Sequence, residues 1–319
     1  MTEYNYDANY QLTKLTDARG GVTRYDYDPL GNVVKEIDPE GGEWQYQYDA
    51  VSRLTNFIDP NGHTTKFVYD EIGNVVKEID PMEFEINYQY DLLGQMTEQT
   101  NEEGATWKYE YNPTGWLTSM TDPSNGITTY EYDANGNLIQ ETDPLGRVET
   151  YEYDKLDQLI KYFDPENYVT EWKYNAVGAL VEETNALGDS ITFKYDDIYR
   201  LIEEQTPSGS SWKYEYDSVG NLIKEIEPLN QMTQYEYNAA NQLIKVTDAL
   251  DGVTEYQYDK TGNLAKLIDA NENTRQWEYD LNHRLVKEID GLGNAHTYHY
   301  DSAGQLIEEI NRNDQKIKY

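Results

Sequence analysis

The sequence predicts an all-β repeat protein, a long antiparallel hairpin ribbon with two strands in every 21-residue repeat, coiled into a hollow superhelical spiral. Three observations predict it. Tyr followed by Asp or Asn falls at residues 6, 27, 48 and every twenty-first residue through 300, fifteen times without an insertion or deletion. The residue two before each of these tyrosines is aromatic, and the residue six after it is aliphatic or Met. Two turn-forming segments punctuate each copy, one after Tyr-Asp and one at a recurrent Asp-Pro-x-Gly.

The first strand is TxYxYD, as at Tyr130 and Tyr132, where aromatics spaced by two fit the strand period and fit a helix badly. Next comes a loop such as Asp133, Ala134, Asn135, Gly136. Asp suits the residue opening a type I turn, and Gly suits the left-handed residue that closes a three-residue hairpin loop. Glycine holds that position in nine of fifteen copies; Asp157 and Asn241 tolerate it next best, while Tyr10, Ser52, Tyr199 and His283 are expected to be strained or to use another turn. The second strand, LIxEI or similar, begins six residues after the Tyr-Asp tyrosine, as at Leu138, and runs into Asp143, Pro144, Gly146, or Asp38, Pro39, Gly41. Proline presets the second turn position and cannot continue a central strand, so the chain reverses again.

Twenty-one is odd, and a shift of one residue moves every side chain to the other face. Two plain three-residue loops would therefore alternate the tyrosines between faces from copy to copy. One even-length connection or bulge per repeat is expected, most simply a four-residue loop after the Asp of Asp-Pro. One face then carries Thr or Trp, the aromatic, Tyr, Leu and the Ile or Thr of positions such as Ile37 and Thr142. The other carries most of the Glu, Asp, Gln and Lys. Thirty strands at ~4.8 Å make a ribbon of about 140 Å, and a twist of roughly 20° per strand pair keeps it from lying flat. Its apolar face is shielded by curling around a lumen or by meeting another turn of the spiral.

Composition narrows the partners. Sixty Asp and Glu against 25 Lys and Arg give a formal charge of -35, which repels nucleic acid and anionic membrane surfaces. A mean hydropathy of -0.87 would permit disorder, but 31 tyrosines in a fixed pattern argue for order. No cysteine is present, no apolar run is long enough to cross a membrane, and the first residues lack a signal-peptide core. The domain reading is a single array over residues 1–319, about fifteen repeats, excised from a longer protein because both ends fall inside the motif.

The strings YxYDxxGNL and DPxGxxT, carried by Tyr27, Asp28, Gly31, Asp38 and Pro39 and by Tyr132, Asp133, Gly136, Leu138, Asp143, Pro144 and Gly146, resemble the YD repeat of the RHS family. That family includes bacterial Rhs toxins, the B and C subunits of Tc toxin complexes, wall-associated proteins and teneurins. The resemblance implies a β-ribbon spiralled into a shell, a non-enzymatic scaffold that encloses or displays cargo such as a C-terminal toxin domain. It implies flanking domains or that cargo as partners, and the outside or surface of a bacterial cell as the location. Uniform repeat length departs from relatives that taper and close, which favours an open spiral. The family's self-cleaving aspartates lie near a DPxGL signature in a core region after the repeats; the string at Asp143 lacks that final Leu and sits mid-array, and no protease is carried over to it.

No catalytic, metal or cofactor site is expected. Aspartates of neighbouring turns lie ~10 Å apart, too far to share a calcium ion, and are expected to accept turn N–H groups instead. His296 and His299 differ by three and so fall on opposite faces. Trp44, Trp107 and Trp212 take the strand position usually held by Thr, and Trp116 follows a turn and is expected to be exposed; such aromatics stack on sugars or pack against a neighbouring turn. The alternative function is accordingly an adhesion module for glycans or a protein. Open strand edges at the ends also favour end-to-end self-association, opposed by the shared charge at low salt.

Overall fold

The computed structural model describes residues 2–319, which form thirty-one strands and, among the described residues, no helix. They gather into two units, one joining the residues up to Phe84 to Gln234–Tyr319, the other Glu85–Thr233. The same repeat builds both. In the central unit Thr106–Tyr111 is followed by Leu117–Thr121, then Ile127–Tyr132 by Leu138–Thr142. Within each unit successive strands pair antiparallel, as the alternation of β-formers with turn residues requires.

Both turns have one design. At the Tyr-Asp turn Asp133 N–H donates to Asn137 O (3.0 Å) and Gly136 N–H to Asp133 O (3.2 Å); at the Asp-Pro turn Asp143 N–H donates to Arg147 O (3.0 Å) and Gly146 N–H to Asp143 O (2.9 Å). Each is a three-residue loop on a type I turn, closed by a left-handed residue, with φ of 95° at Gly136 and 77° at Gly146. Tyr10, Ser52, Tyr199 and His283, expected to be strained or to use another turn, keep this turn and take the left-handed conformation, at φ values of 64°, 65°, 64° and 62°.

The odd residue is absorbed as expected by one bulge per repeat, but not in a four-residue Asp-Pro loop. Tyr111 pairs with Leu117 and Glu110 with Ser119, so Thr118 is left over; Tyr27 pairs with Val33 and Asp26 with Lys35, leaving Val34. Every Tyr-Asp tyrosine thus returns to the same side of the local ribbon. The bulge also changes which second-strand residues share that side. Tyr25 pairs with Glu36 and Arg24 with Ile37, so the Ile or Thr row, expected beside the tyrosines, lies on the opposite face. Its place is taken by Glu36, Glu78, Glu141 and Glu183, interspersed with Phe57, Gln99, Met120 and Tyr162.

Among the described residues no hydrophobic side chain is buried and no side chain is fully buried; Thr23 and Thr128 come nearest, at 9% and 7% exposure. Cohesion comes from the ladders and from half-buried side chains on the tyrosine face. The other face carries cross-strand ion pairs such as Lys173–Glu182 (2.9 Å) and Lys194–Glu203 (2.8 Å), each worth well under ~1 kcal/mol in water.

Candidate functional site

The surfaces a repeat scaffold can use are its faces and its two turn margins, and each is built by a device visible in one repeat. Between repeats the ladder is short. Leu180–Thr184 pairs with Ser190–Tyr195 only from Thr184↔Ser190 to Glu182↔Thr192, because the bulge interrupts it. Beyond that point the Leu180 carbonyl has lost its ladder partner, and the Tyr195 hydroxyl donates to it at 2.7 Å. Tyr27 does the same to Leu12 O (2.8 Å) and Tyr216 to Leu201 O (2.8 Å), and at least ten of the described repeats share the bond. The tyrosine of the motif is there for its hydroxyl as well as its ring.

The residue after the left-handed position straps across the same gap to the next repeat. Gln95 Nε2 donates to Gly115 O (3.2 Å), as Gln158 does to Gly178 O (3.2 Å). Arg200 lays its guanidinium 4.8 Å over the Tyr216 ring and donates to Asp217 O at 2.8 Å. Trp116, expected to be exposed, is half-buried in this role: its ring lies 5.4 Å from that of Tyr132, and a Cβ on Gly136 would sit 2.7 Å from it. The strap decides what the next turn tolerates. After Gln, Arg or Trp the next Tyr-Asp turn always closes with glycine, and a side chain stands there only after Asn or Ala. Asn supports it directly, with Asn32 Nδ2 on Ser52 Oγ (3.0 Å) and Asn137 Nδ2 on Asp157 Oδ1 (2.7 Å). This covariation was legible in the sequence and was missed.

The turn aspartates do what turn geometry asks. Asp28 Oδ1 accepts from Leu30 and Asn32 N–H (both 2.9 Å), Asp38 Oδ1 from Glu40 (2.9 Å) and Gly42 (2.8 Å), with Pro39 between. Asn137 and its N–H hold the Asp133 carboxyl below the usual range; the Arg147 N–H and guanidinium do so for Asp143. At Asp259 burial pushes upward, but hydrogen bonds from Thr261 and Asn263 outweigh it and hold the group down at about 2. Gly31, at φ 92°, closes the turn that Asp28 opens. Leu138 pairs with Tyr132 on the tyrosine face.

That face mixes aromatics with carboxylates. Trp44 stacks on Phe57 at 5.5 Å and 19°, while Trp107 and Trp212 stand half-buried opposite Gln99 and Glu204. Burial, with Asp38 nearby, raises Glu36, and burial beside Glu36 raises the Tyr25 hydroxyl. Tyr151 donates to Glu149 Oε2 at 2.9 Å. His296 faces Glu288 and His299 faces Glu308, on opposite sides of the strand as their spacing predicts.

Within the discontinuous unit the two margins meet. The second turns of the first three repeats, opened by Asp17, Asp38 and Asp59, dock on Tyr-Asp turns of the last three: Arg19 donates to the Tyr279 and Asp280 carbonyls, Glu40 Oε1 accepts from Leu281 N–H (2.9 Å), Asn282 Nδ2 donates to Asp38 Oδ2 (3.0 Å), and Asn61 Nδ2 to Asp301 Oδ2 (2.8 Å). Gly42 is required there, since a Cβ would lie 2.5 Å from Ser302 O. A recess of about 480 Å³ beside Arg19, Asp259 and Trp277 opens onto this seam.

Comparison with known proteins follows the same lines. An RHS repeat family model matches in overlapping windows across residues 6–81, 90–211 and 216–316. No curated protein matches the chain by sequence at a significant level. Among solved structures, TcdB2-TccC3 without its hypervariable C-terminal region is similar at a TM-score of 0.79 and 16% identity, over 99% of this chain and 22% of that one. TcdB2-TccC3-Cdc42 is similar at 0.75 and 16%, over 96% of this chain and 21% of that one. The chain spans about a fifth of the length of those chains, and at such identity the likeness concerns the fold. With a matching model over most of its length, in phase with turns, bulge and tyrosine bond alike, the chain belongs to the RHS repeat family.

Proposed function

We propose that this chain is a length of non-enzymatic shell wall that spirals around a lumen and encloses or displays a polypeptide cargo, outside or at the surface of a bacterial cell. The observation that carries the reading is the single bulge per repeat, which keeps the tyrosine and glutamate rows on one side and gives the wall a lining distinct from its exterior. The fold shared with TcdB2-TccC3 supports it. Cargo and flanking domains of a longer protein are its partners; nucleic acid and membrane are not, given the charge of -35. Trp44 and Trp116 are engaged by neighbouring rings or backbone, which leaves a glycan-binding role without support. Small-angle X-ray scattering of the monomer tests the proposal. A hollow cross-section is expected; a solid one would overturn it.

A further inference from the structure

One repeat, in the central unit, departs from the pattern at two positions at once. Nine residues after the Tyr-Asp tyrosine the second strand carries Glu in eight copies and Tyr only at Tyr162; four residues before that tyrosine the first strand carries a carboxylate only at Glu149. Both fall in one hairpin, Val148–Tyr153 with Leu159–Phe163. Tyr151 stands directly opposite Tyr162, with ring centroids 5.4 Å apart and planes tilted by 37°. In every other copy the residue opposite the first-strand aromatic is Glu, Gln, Phe, Met or aliphatic, so two phenols face each other at this level only here. Glu149 serves both hydroxyls. It accepts from Tyr151 at 2.9 Å, and burial, with this carboxylate alongside, raises the hydroxyls of Tyr151 and Tyr162 alike. Each phenol therefore stays protonated, and its oxidation has to release a proton. Glu149 also faces Glu141 directly across the next ladder, an opposition of like charges that costs stability rather than supplying it. A recess of about 320 Å³ opens beside these two carboxylates. The chain has 31 tyrosines and no cysteine, so a disulfide is closed to it and phenol coupling is the oxidative tie its composition offers.

We propose that Tyr151 and Tyr162 form an oxidative cross-linking site, at which a small one-electron oxidant joins the two rings into dityrosine with Glu149 as proton acceptor. Each phenol gives an electron to one equivalent of oxidant and loses its hydroxyl proton, that of Tyr151 to Glu149 and from there to water. The two phenoxyl radicals then form a carbon–carbon bond between ring positions ortho to oxygen. The hydrogen on each bonded carbon leaves as a proton and each oxygen is reprotonated from solvent. The balance is two electrons and two protons lost for one bond formed. That bond ties the first strand of the repeat covalently to the second.

Photolysis of tris(bipyridyl)ruthenium with persulfate, limited to two oxidising equivalents per chain, tests the site in the folded protein. The monomer is then isolated and digested with trypsin, and mass spectrometry locates the links. The dominant product is expected to join residues 148–155 to residues 162–173 with the loss of two hydrogens, and fragmentation to place the link at Tyr151 and Tyr162. Tyr162→Phe keeps the ring and is expected to abolish this product. Glu149→Gln keeps a hydrogen-bond acceptor and is expected to slow its formation at least about tenfold. Circular dichroism checks that both variants fold, and unfolding the wild type in urea is expected to spread coupling over the other tyrosines. Links scattered among many tyrosines of the folded chain, or the same product from Tyr162→Phe, overturn the proposal. An unchanged rate in Glu149→Gln overturns the role given to Glu149.

Discussion

Deleting Val181 alone and deleting Val181 with Glu182 separate the bulge account from an ordinary ladder. Val181 is the residue left over between Leu180↔Tyr174 and Glu182↔Lys173. Removing it closes a regular ladder in which Glu182, Glu183 and Thr184 keep their partners, and every later tyrosine keeps its side. The loss is local: the Tyr195 hydroxyl bond to Leu180 O weakens or breaks, about 1 kcal/mol. Removing two residues consumes the bulge and one ladder position. Thr184 then takes the place of Glu183, and Phe193, Tyr195 and the strands after them emerge on the wrong side. That junction forfeits the hydroxyl bond and the cross-strand pairs around it, at least about 3 kcal/mol. Urea unfolding followed by circular dichroism and Trp fluorescence is the assay. The single deletion is expected to shift the midpoint modestly with cooperativity intact, and the double deletion to broaden or abolish the transition. A regular ladder predicts the reverse order, so a double deletion more stable than the single one would refute the bulge as the keeper of parity.

Other consequences concern protons and straps. Asp133, Asp143 and Asp259 are depressed in the folded state, so their stabilisation is present above the unfolded value near ~3.9 and disappears as pH falls toward about 2 at Asp259. Glu36 is raised, so its contribution is complete below the unfolded value near ~4.3 and lost as pH rises through the higher folded value. Thermal unfolding is therefore expected to be most resistant near pH ~4 to 5, and Tm rising continuously from there to pH 8 would contradict this. Tyr27, Tyr195 and Tyr216 are raised by burial, so their hydroxyl bonds persist below the unfolded value near ~10 and fail as pH rises through the folded one. Tyrosinate absorbance and loss of β-structure should rise together above pH ~10; free titration of all tyrosines in a folded chain would tell against the bond. Gly115→Ser should lower stability by about 1 to 2 kcal/mol, since a Cβ there meets Gln95 Nε2 at 3.0 Å and φ is 91°. Adding Gln95→Asn, which recreates the Asn32 and Ser52 pair, should restore about half of the loss, and strict additivity in the double-mutant cycle would dismiss the strap rule.

Period, strand pairs and both turns were legible because each leaves a residue signature: aromatics spaced by two, Asp to accept turn N–H groups, and Gly for a left-handed φ. The bulge leaves only an ambiguous one: the extra residue is Val, Ile or Thr in fourteen of the fifteen repeats, with Ala265 the exception, but β-branched residues suit any strand position and do not by themselves mark a bulge. Placing the odd residue in the Asp-Pro loop put Ile37 beside Tyr25, whereas the bulge puts Glu36 there. The turn φ values show a second gap: Tyr199 and His283 enter the left-handed region because closure of the loop imposes it, which outweighs the ~1 kcal/mol preference for glycine. Straps join residues about twenty apart, and only a comparison between adjacent repeats brings them out. The seam joins turns more than two hundred residues apart, as Asn61 to Asp301, and no periodicity reports on it.

The chain has no cysteine, so one introduced thiol reports on one face. Gln99→Cys places it on the tyrosine face opposite Tyr88 and Trp107, and Glu110→Cys on the exposed face beside it. Each is treated with a small maleimide and with a long-chain poly(ethylene glycol) maleimide, folded and unfolded. A wall lined by its tyrosine face predicts that the thiol at 110 takes both reagents, whereas the thiol at 99 takes only the small one until the chain is unfolded. Equal reaction of the two folded thiols with the large reagent would contradict an enclosed lining.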